Sequence, residues 1–236
     1  MKKGIRFAVC FTLLALMLQA VPALSYPRLY YHGDREKKRI AITMDDCWKQ
    51  QYVKEMLDLC ELYQFRMTFF PVGKCLDESE AEDWQRMVSD GHEIGNHTNN
   101  HATLTKKTNR SAVMHELHGM ENRLEGVLGY EYTPTLFRPP FGHILDEDRR
   151  TVKWLEEYDY PNIIMWSISE TDPEVMLKKV QNGDILLYHS NKKDVEGLRK
   201  AIPVLLERGY ELVTVSELLG FVPPQANGVG QIQKNP

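Results

Sequence analysis

A chain of 236 residues with 42% hydrophobic side chains and a mean hydropathy of −0.43 can bury one core and suits one domain better than two. Its 29 basic and 33 acidic residues give a formal charge of −4, which excludes the basic footprint of a nucleic-acid-binding protein.

Lys2, Lys3 and Arg6 precede an apolar run, Phe7 to Leu18, that ends near the small residues Ala20, Ala23 and Ser25. A basic start, a short apolar stretch and a small-residue cleavage site together predict a signal peptide over residues 1–25. The run falls short of the roughly 20 residues of a membrane span, although an uncleaved anchor is the alternative reading. The protein is therefore expected to be secreted or associated with the cell wall, with no stable membrane insertion after cleavage. Cys10 lacks the small-residue context of a lipoprotein cleavage site. Removing the peptide's three basic residues leaves 26 against 33 acidic ones, a balance of −7, and three cysteines, Cys47, Cys60 and Cys75. An odd number excludes a fully paired disulfide framework and leaves one bridge open.

Residues 26–39 read as an irregular N-terminal extension ending in the charged run Asp34 to Arg39. Ile40 to Met44 then reads as a buried strand, and β-branched apolar runs recur at 66–72, 92–97, 135–139, 162–166, 184–189 and 211–215. Between most of them lie helical patterns, as at 52–63 and 112–128. In the first, Val53, Met56, Leu57, Cys60 and Leu62 are expected to face inward, with Lys54, Glu55, Asp58 and Glu61 outward. This alternation predicts an α/β fold, a distorted (β/α) barrel with about seven parallel strands in a single domain over 40–220. A doubly wound open sheet is the alternative. There is no internal repeat, and residues 221–236 lack apolar periodicity and read as a flexible tail.

In parallel α/β folds reactive groups collect where strands end. Asp45 and Asp46, His97 and His101, Arg138, and His189 all fall at such ends. His97 and His101 are four apart, a spacing that on a helical turn brings Cβ atoms about 5–6 Å apart, within reach of one metal ion. Asn96 and the Thr98–Asn100 segment favour a strand-end loop instead. Within a strand, Asp45 and Asp46 point to opposite faces, so both serve one site only where the backbone turns. A helix N-cap is the alternative use of these residues. Two histidines and one aspartate form a ligand set resembling catalytic zinc sites, where the ion lowers the pKa of water to roughly 7.

Five short motifs, in order, resemble those of the polysaccharide deacetylases, carbohydrate esterase family 4, from about Ile40 to Leu219. They are Thr43–Cys47 (TMDDC), His97–His101 (HTNNH), Arg138–Phe141 (RPPF), WSISETDP with Asp172, and Leu187–His189 (LYH). The resemblance implies metal-dependent hydrolysis of N-acetyl groups on an amino-sugar polymer or oligomer, peptidoglycan or chitin-like. Asp46, His97 and His101 match the metal ligands, and zinc is the expected ion, with cobalt, nickel or manganese as alternatives. Asp45 matches the general base, Arg138 the arginine that positions it, His189 the general acid, and Asp172 the carboxylate supporting the arginine and histidine. The Phe141 backbone N–H matches an oxyanion donor. Pro140, Trp166 and Leu187 lie in the same motifs and are expected to line the substrate side.

Two departures stand out. Cys47 replaces the family's glycine and is expected to be a small packed residue rather than a ligand, and Pro173 replaces the aromatic of the fourth motif. His92, His115 and His118 read as structural or surface residues, His143 as a polar loop residue with substrate contact as the alternative, and Trp48 and Trp166 each as either a sugar platform or core. The glycan is the expected partner and the protein is expected to be a monomer. An O-acetyl esterase on xylan and a catalytically silent glycan-binding protein are the rival readings. A glycosidase is disfavoured because adjacent Asp45 and Asp46 cannot straddle a bond.

Overall fold

The computed structural model describes residues 28–105, 108–144, 149–224 and 226–227, so the expected signal peptide lies outside it. The first half runs β1 (Arg28–Tyr30), β2 (Arg39–Asp46), α1 (Gln50–Tyr63), β3 (Thr68–Pro71), α2 (Ala81–Ser89), β4 (Glu93–Ile94) and α3 (Arg110–Leu128). The second runs β5 (Glu131–Tyr132), β6 (Leu136–Phe137), α4 (Arg149–Glu157), β7 (Asn162–Ile164), α5 (Pro173–Lys179) and β8 (Ile185–His189). It ends with α6 (Lys192–Glu207), β9 (Glu211–Leu212), α7 (Val215–Leu219) and β10 (Ala226–Asn227). Each of the seven expected strands is present, generally shorter than the apolar run that announced it.

Strand β2 is buried on both faces, as strands of a parallel sheet flanked by helices are. Its side chains divide with period two. Ile40, Ile42 and Met44 pack outward against the buried faces of α1 and α6, while Ala41 joins Phe70, Leu136, Ile164 and Ile185 inside the barrel. Thr43 and Asp45 share the parity of Ala41, which points them inward as well.

Parallel pairing joins β2 to β3 and β8, β3 to β4, and the start of β2 to β9. A second parallel sheet has the order β1-β7-β6. Single parallel bridges, Asn96 to Phe137 and Ile168 to Leu186, connect the two sheets, so the circuit β8-β2-β3-β4-β6-β7 returns on itself. This is a distorted α/β barrel of one domain. An open doubly wound sheet would have two free edges.

Three local expectations need correction. The segment read as an irregular extension contributes β1, which pairs in register with β7, and Arg35 forms an ion pair with Asp184 at 2.6 Å. The tail read as flexible contributes β10, antiparallel to β5, a short strand that carried no sequence signal. Leu62 is 67% exposed and Leu59 takes its place in the core. The inward stripe 53, 56, 57, 60 continues toward Tyr63, leaving position 62 on the outer side.

Candidate metal centre and catalytic site

The site begins where β2 stops. Asp46 and Cys47 take φ of 67° and 61°, left-handed conformations that end the strand and turn the chain. That turn lets two successive aspartates address one place. Asp46 Oδ1 lies 3.4 Å from His97 Nε2 and 3.2 Å from His101 Nε2, and it is buried with no hydrogen-bond partner. One donor atom from each of the three lies within 4.8 Å of the others. Donors bound tetrahedrally at about 2.0–2.1 Å stand about 3.3 Å apart, so this spacing fits a small divalent cation. An orphaned buried carboxylate oxygen is what such an ion would satisfy.

The two histidines come from a loop after β4 in which Thr98 and His101 also have positive φ, 68° and 58°. No helical turn brings them together. His97 Nδ1 lies 2.7 Å from the Arg138 carbonyl, which only accepts, so Nδ1 carries the proton and Nε2 offers its lone pair. Burial lowers the His101 pKa, with Asp46 opposing, and favours the neutral imidazole that a metal needs. For Asp46 burial acts upward but is outweighed by His97, His101 and His189, and its carboxyl sits below the ordinary range.

Arg138, fully buried, donates from Nη1 to Asp45 Oδ1 at 2.6 Å and to Thr43 Oγ1 at 2.7 Å. Its Nε and Nη2 donate to the carbonyls of Ile164 and Met165, and the guanidinium lies 4.1 Å from the centre of the Phe70 ring. Asp45 Oδ2 remains 3.8 Å from His97 Nε2, which sets the free oxygen beside the metal donors. His189 is opposite Asp45 in the β2–β8 ladder. Its backbone N–H donates to Asp194 Oδ2 at 2.7 Å and its Nδ1 lies 3.7 Å from the same oxygen. The Asp194 carboxylate, with smaller contributions from Asp45 and Asp46, raises the His189 pKa against the effect of burial.

Asp172 is not part of this machinery. It is an exposed N-cap whose Oδ1 accepts from the N–H groups of Glu174 and Val175 at 2.9 and 3.1 Å, with Pro173 at the first helical position of α5. Asp-Pro here is a helix start, which also accounts for the missing aromatic. The carboxylate that faces His189 is Asp194, which the sequence reading missed. Its signal was a position five residues after the histidine, in the first turn of the next helix.

Phe141 sits in a 3-10 turn with φ 61°, is 62% exposed, and places its ring 4.5 Å from that of His101. Trp48, 51% exposed, stands edge-on to His101 at 6.2 Å, so two open aromatic rings flank one ligand. Pro140 and Leu187 are buried, and Trp166 is half-buried with its ring 5.9 Å from the Arg138 guanidinium. All three are more closed to solvent than Phe141 and Trp48. Cys47 is buried in the core, where burial pushes its thiol pKa well up, and it is not among the clustered donors Asp46, His97 and His101. Cys47, Cys60 and Cys75 are all free.

Residues 32–163 match the family model described as polysaccharide deacetylase. Over 204 residues the chain is 34% identical to a peptidoglycan-N-acetylglucosamine deacetylase of Bacillus cereus, an alignment covering 78% of this chain and 90% of that one. Among curated relatives the spanned share of the relative's own length differs, and in one it is 61%. Bacillus subtilis PdaA, a family 4 carbohydrate esterase, superposes with a TM-score of 0.72 at 26% identity, covering 82% of this chain and 85% of that structure. A mutant of a CE4-family pseudoenzyme of Bacillus anthracis, with restored enzymatic activity, gives 0.71 at 26% identity, covering 81% and 71%.

Proposed function

Because this chain belongs to the polysaccharide deacetylase family, we propose that it removes N-acetyl groups from the amino sugars of peptidoglycan. The observation carrying this reading is Asp46, His97 and His101 gathered within 4.8 Å, beside an aspartate fixed by a buried arginine at 2.6 Å. Since that fold also serves a pseudoenzyme, residues rather than topology must carry the argument.

Asp46, His97 and His101 would hold the ion, for which zinc is the first choice. Bound there, a divalent ion supplies Lewis acidity and brings the pKa of a water toward neutrality. Asp45 takes the proton from the attacking water through its free Oδ2, while Arg138 keeps Oδ1 occupied. The Phe141 N–H, presented by its left-handed turn, donates to the developing oxyanion, an interaction whose loss typically costs about 10²–10³ in rate. His189 protonates the departing amine, which is otherwise too basic to leave. Water adds, the amide C–N bond breaks, and acetate and a free amine result. Trp48 and Phe141 give apolar faces against which a sugar ring packs. Export through residues 1–25 and action as a monomer complete the proposal; no helix among the described residues is long and apolar enough to cross a membrane.

The test is acetate release from peptidoglycan, chitooligosaccharides and acetylxylan side by side, with and without chelator. Release from peptidoglycan that stops with chelator and returns with zinc is the expected result. Asp45→Asn is expected to keep its metal and lose about 10²–10⁴ in rate, while His97→Ala loses both. Acetate from xylan alone would replace this function by an esterase. A metal-loaded protein inert on all three would be a glycan-binding protein.

A further inference from the structure

Backbone strain in this molecule is concentrated at one end of the barrel. Of the seven non-glycine residues with positive φ among those described, Asp46, Cys47, Thr98, His101 and Phe141 lie in the site's own segments. Thr98 is β-branched, the residue type least suited to a φ of 68°. Conformations of this kind persist only where the surroundings over-determine them, so the restraint on the 97–101 loop must be visible around it.

That restraint comes largely from α3. Glu116, a buried carboxylate, accepts from both the backbone N–H and the side-chain Nδ2 of Asn100, each at 2.8 Å. One residue on, the Leu117 carbonyl accepts from Asn96 Nδ2 at 3.1 Å. The same Nδ2 donates to the Tyr160 hydroxyl at 2.9 Å, which donates in turn to Glu121 Oε1 at 2.5 Å. Asn96 then returns to the loop, its Oδ1 accepting from the Thr98 N–H at 2.9 Å. At Gly119 a Cβ would come within 2.8 Å of Asn99 Cγ, so the helix approaches the loop as closely as glycine allows. On the far side Gly73 and Lys74 donate to the carbonyls of Thr98 and Asn99 at 2.9 and 3.0 Å.

We propose that Glu116 and Tyr160 are positioning residues for the metal: by clamping Asn100 and Asn96, they hold His97 and His101 in a strained loop already shaped for the ion. The proposal builds on the reading of Asp46, His97 and His101 as ligands. Neither Glu116 nor Tyr160 belongs to that ligand set, so their effect passes through the loop alone. A loop fixed in advance gives up little further freedom when its donors close on a cation, and outer partners of this kind typically govern affinity about 10–100-fold.

The full chain, stripped of metal, is titrated with zinc by calorimetry and with cobalt by visible absorption, as wild type and as Glu116→Ala, Glu116→Gln and Tyr160→Phe. Affinity is expected to fall about 10–100-fold in Glu116→Ala and Tyr160→Phe, with an altered absorption of bound cobalt. Glu116→Gln, which keeps one acceptor toward Asn100, recovers part of the loss. A residue that merely supports the fold would lower the metal-free melting temperature and leave the ion's affinity and spectrum alone. Tyr160→Phe deletes a single oxygen and decides the matter if Glu116→Ala does not fold. Folded variants binding within twofold of wild type, with unchanged spectra, would overturn the proposal while leaving the metal reading intact. A wild-type chain that takes up neither ion would overturn both.

Discussion

Arg138 shows how much one side chain carries here. Its guanidinium donates to a carboxylate, a hydroxyl and two carbonyls, and its own carbonyl fixes the His97 tautomer. Burial lowers its pKa and the Asp45 charge opposes that shift, so the pair is mutually dependent. Removing one partner of such a buried pair typically costs about 3–5 kcal/mol. Asp194 acts similarly on His189, and here the sign can be followed. As the general acid proposed above, His189 would work protonated, and a raised pKa extends protonation to higher pH. In Asp194→Asn that support is gone, so the alkaline limb of the kcat/KM profile is expected to move to lower pH, with the acid limb unmoved. A profile that shifts at neither limb would remove Asp194 from the mechanism. That Asp45, Asp46, His97, His101, Arg138 and His189 gather at one place was legible in sequence, because each is a polar residue at a strand end. Asp172 misled because an aspartate before a proline satisfies a motif and a helix start equally well, and only the observed hydrogen bonds separate the two uses.

At the scale of elements, strands and helices announced themselves through burial pattern, while their ends did not. The 97–101 loop is the clearest case. His-x-x-x-His spacing is compatible with a helical turn, while Asn96 and Thr98–Asn100 favour a strand-end loop. The structure has the loop, which brings the histidines together through two left-handed residues held from outside. No local propensity encodes that. β4 offers a test of how finely such pieces are fitted. A Cβ at Gly95 would come within 2.3 Å of the Phe70 ring, the ring that lies under the Arg138 guanidinium. Gly95→Ala is therefore expected to cost about 1–3 kcal/mol by overpacking and to lower kcat more than KM, as read from denaturant midpoints and steady-state kinetics. An alanine variant of full activity would show that Phe70 moves freely and that Arg138 does not need it.

For the whole molecule the barrel was legible because seven buried runs alternate with helices. The strands at the two ends of the described residues, β1 and β10, were not. β1 is three residues long and its partner β7 lies more than a hundred residues away, so nothing local marks it. A metal held at the candidate site would link this architecture to stability. An ion at 100 times its Kd adds about 2.7 kcal/mol, which for a domain of this size is roughly 5–10 °C in melting temperature. Chelation is expected to lower the melting temperature by that amount in the wild type and not in His97→Ala, as calorimetry would register. Among the described residues the two sheets are joined by isolated bridges, Asn96 to Phe137, Ile168 to Leu186 and, antiparallel, His32 to Asp184. Arg138 leaves the end of β6 and reaches across to Asp45 on β2, spanning that join from inside. Were the halves to breathe along this hinge line, the carboxylate would part from its guanidinium before any hydrophobic contact was wetted. Heating should then silence turnover at temperatures where the protein is still folded, and a rate that followed the melting curve to its midpoint would mean the halves move as one.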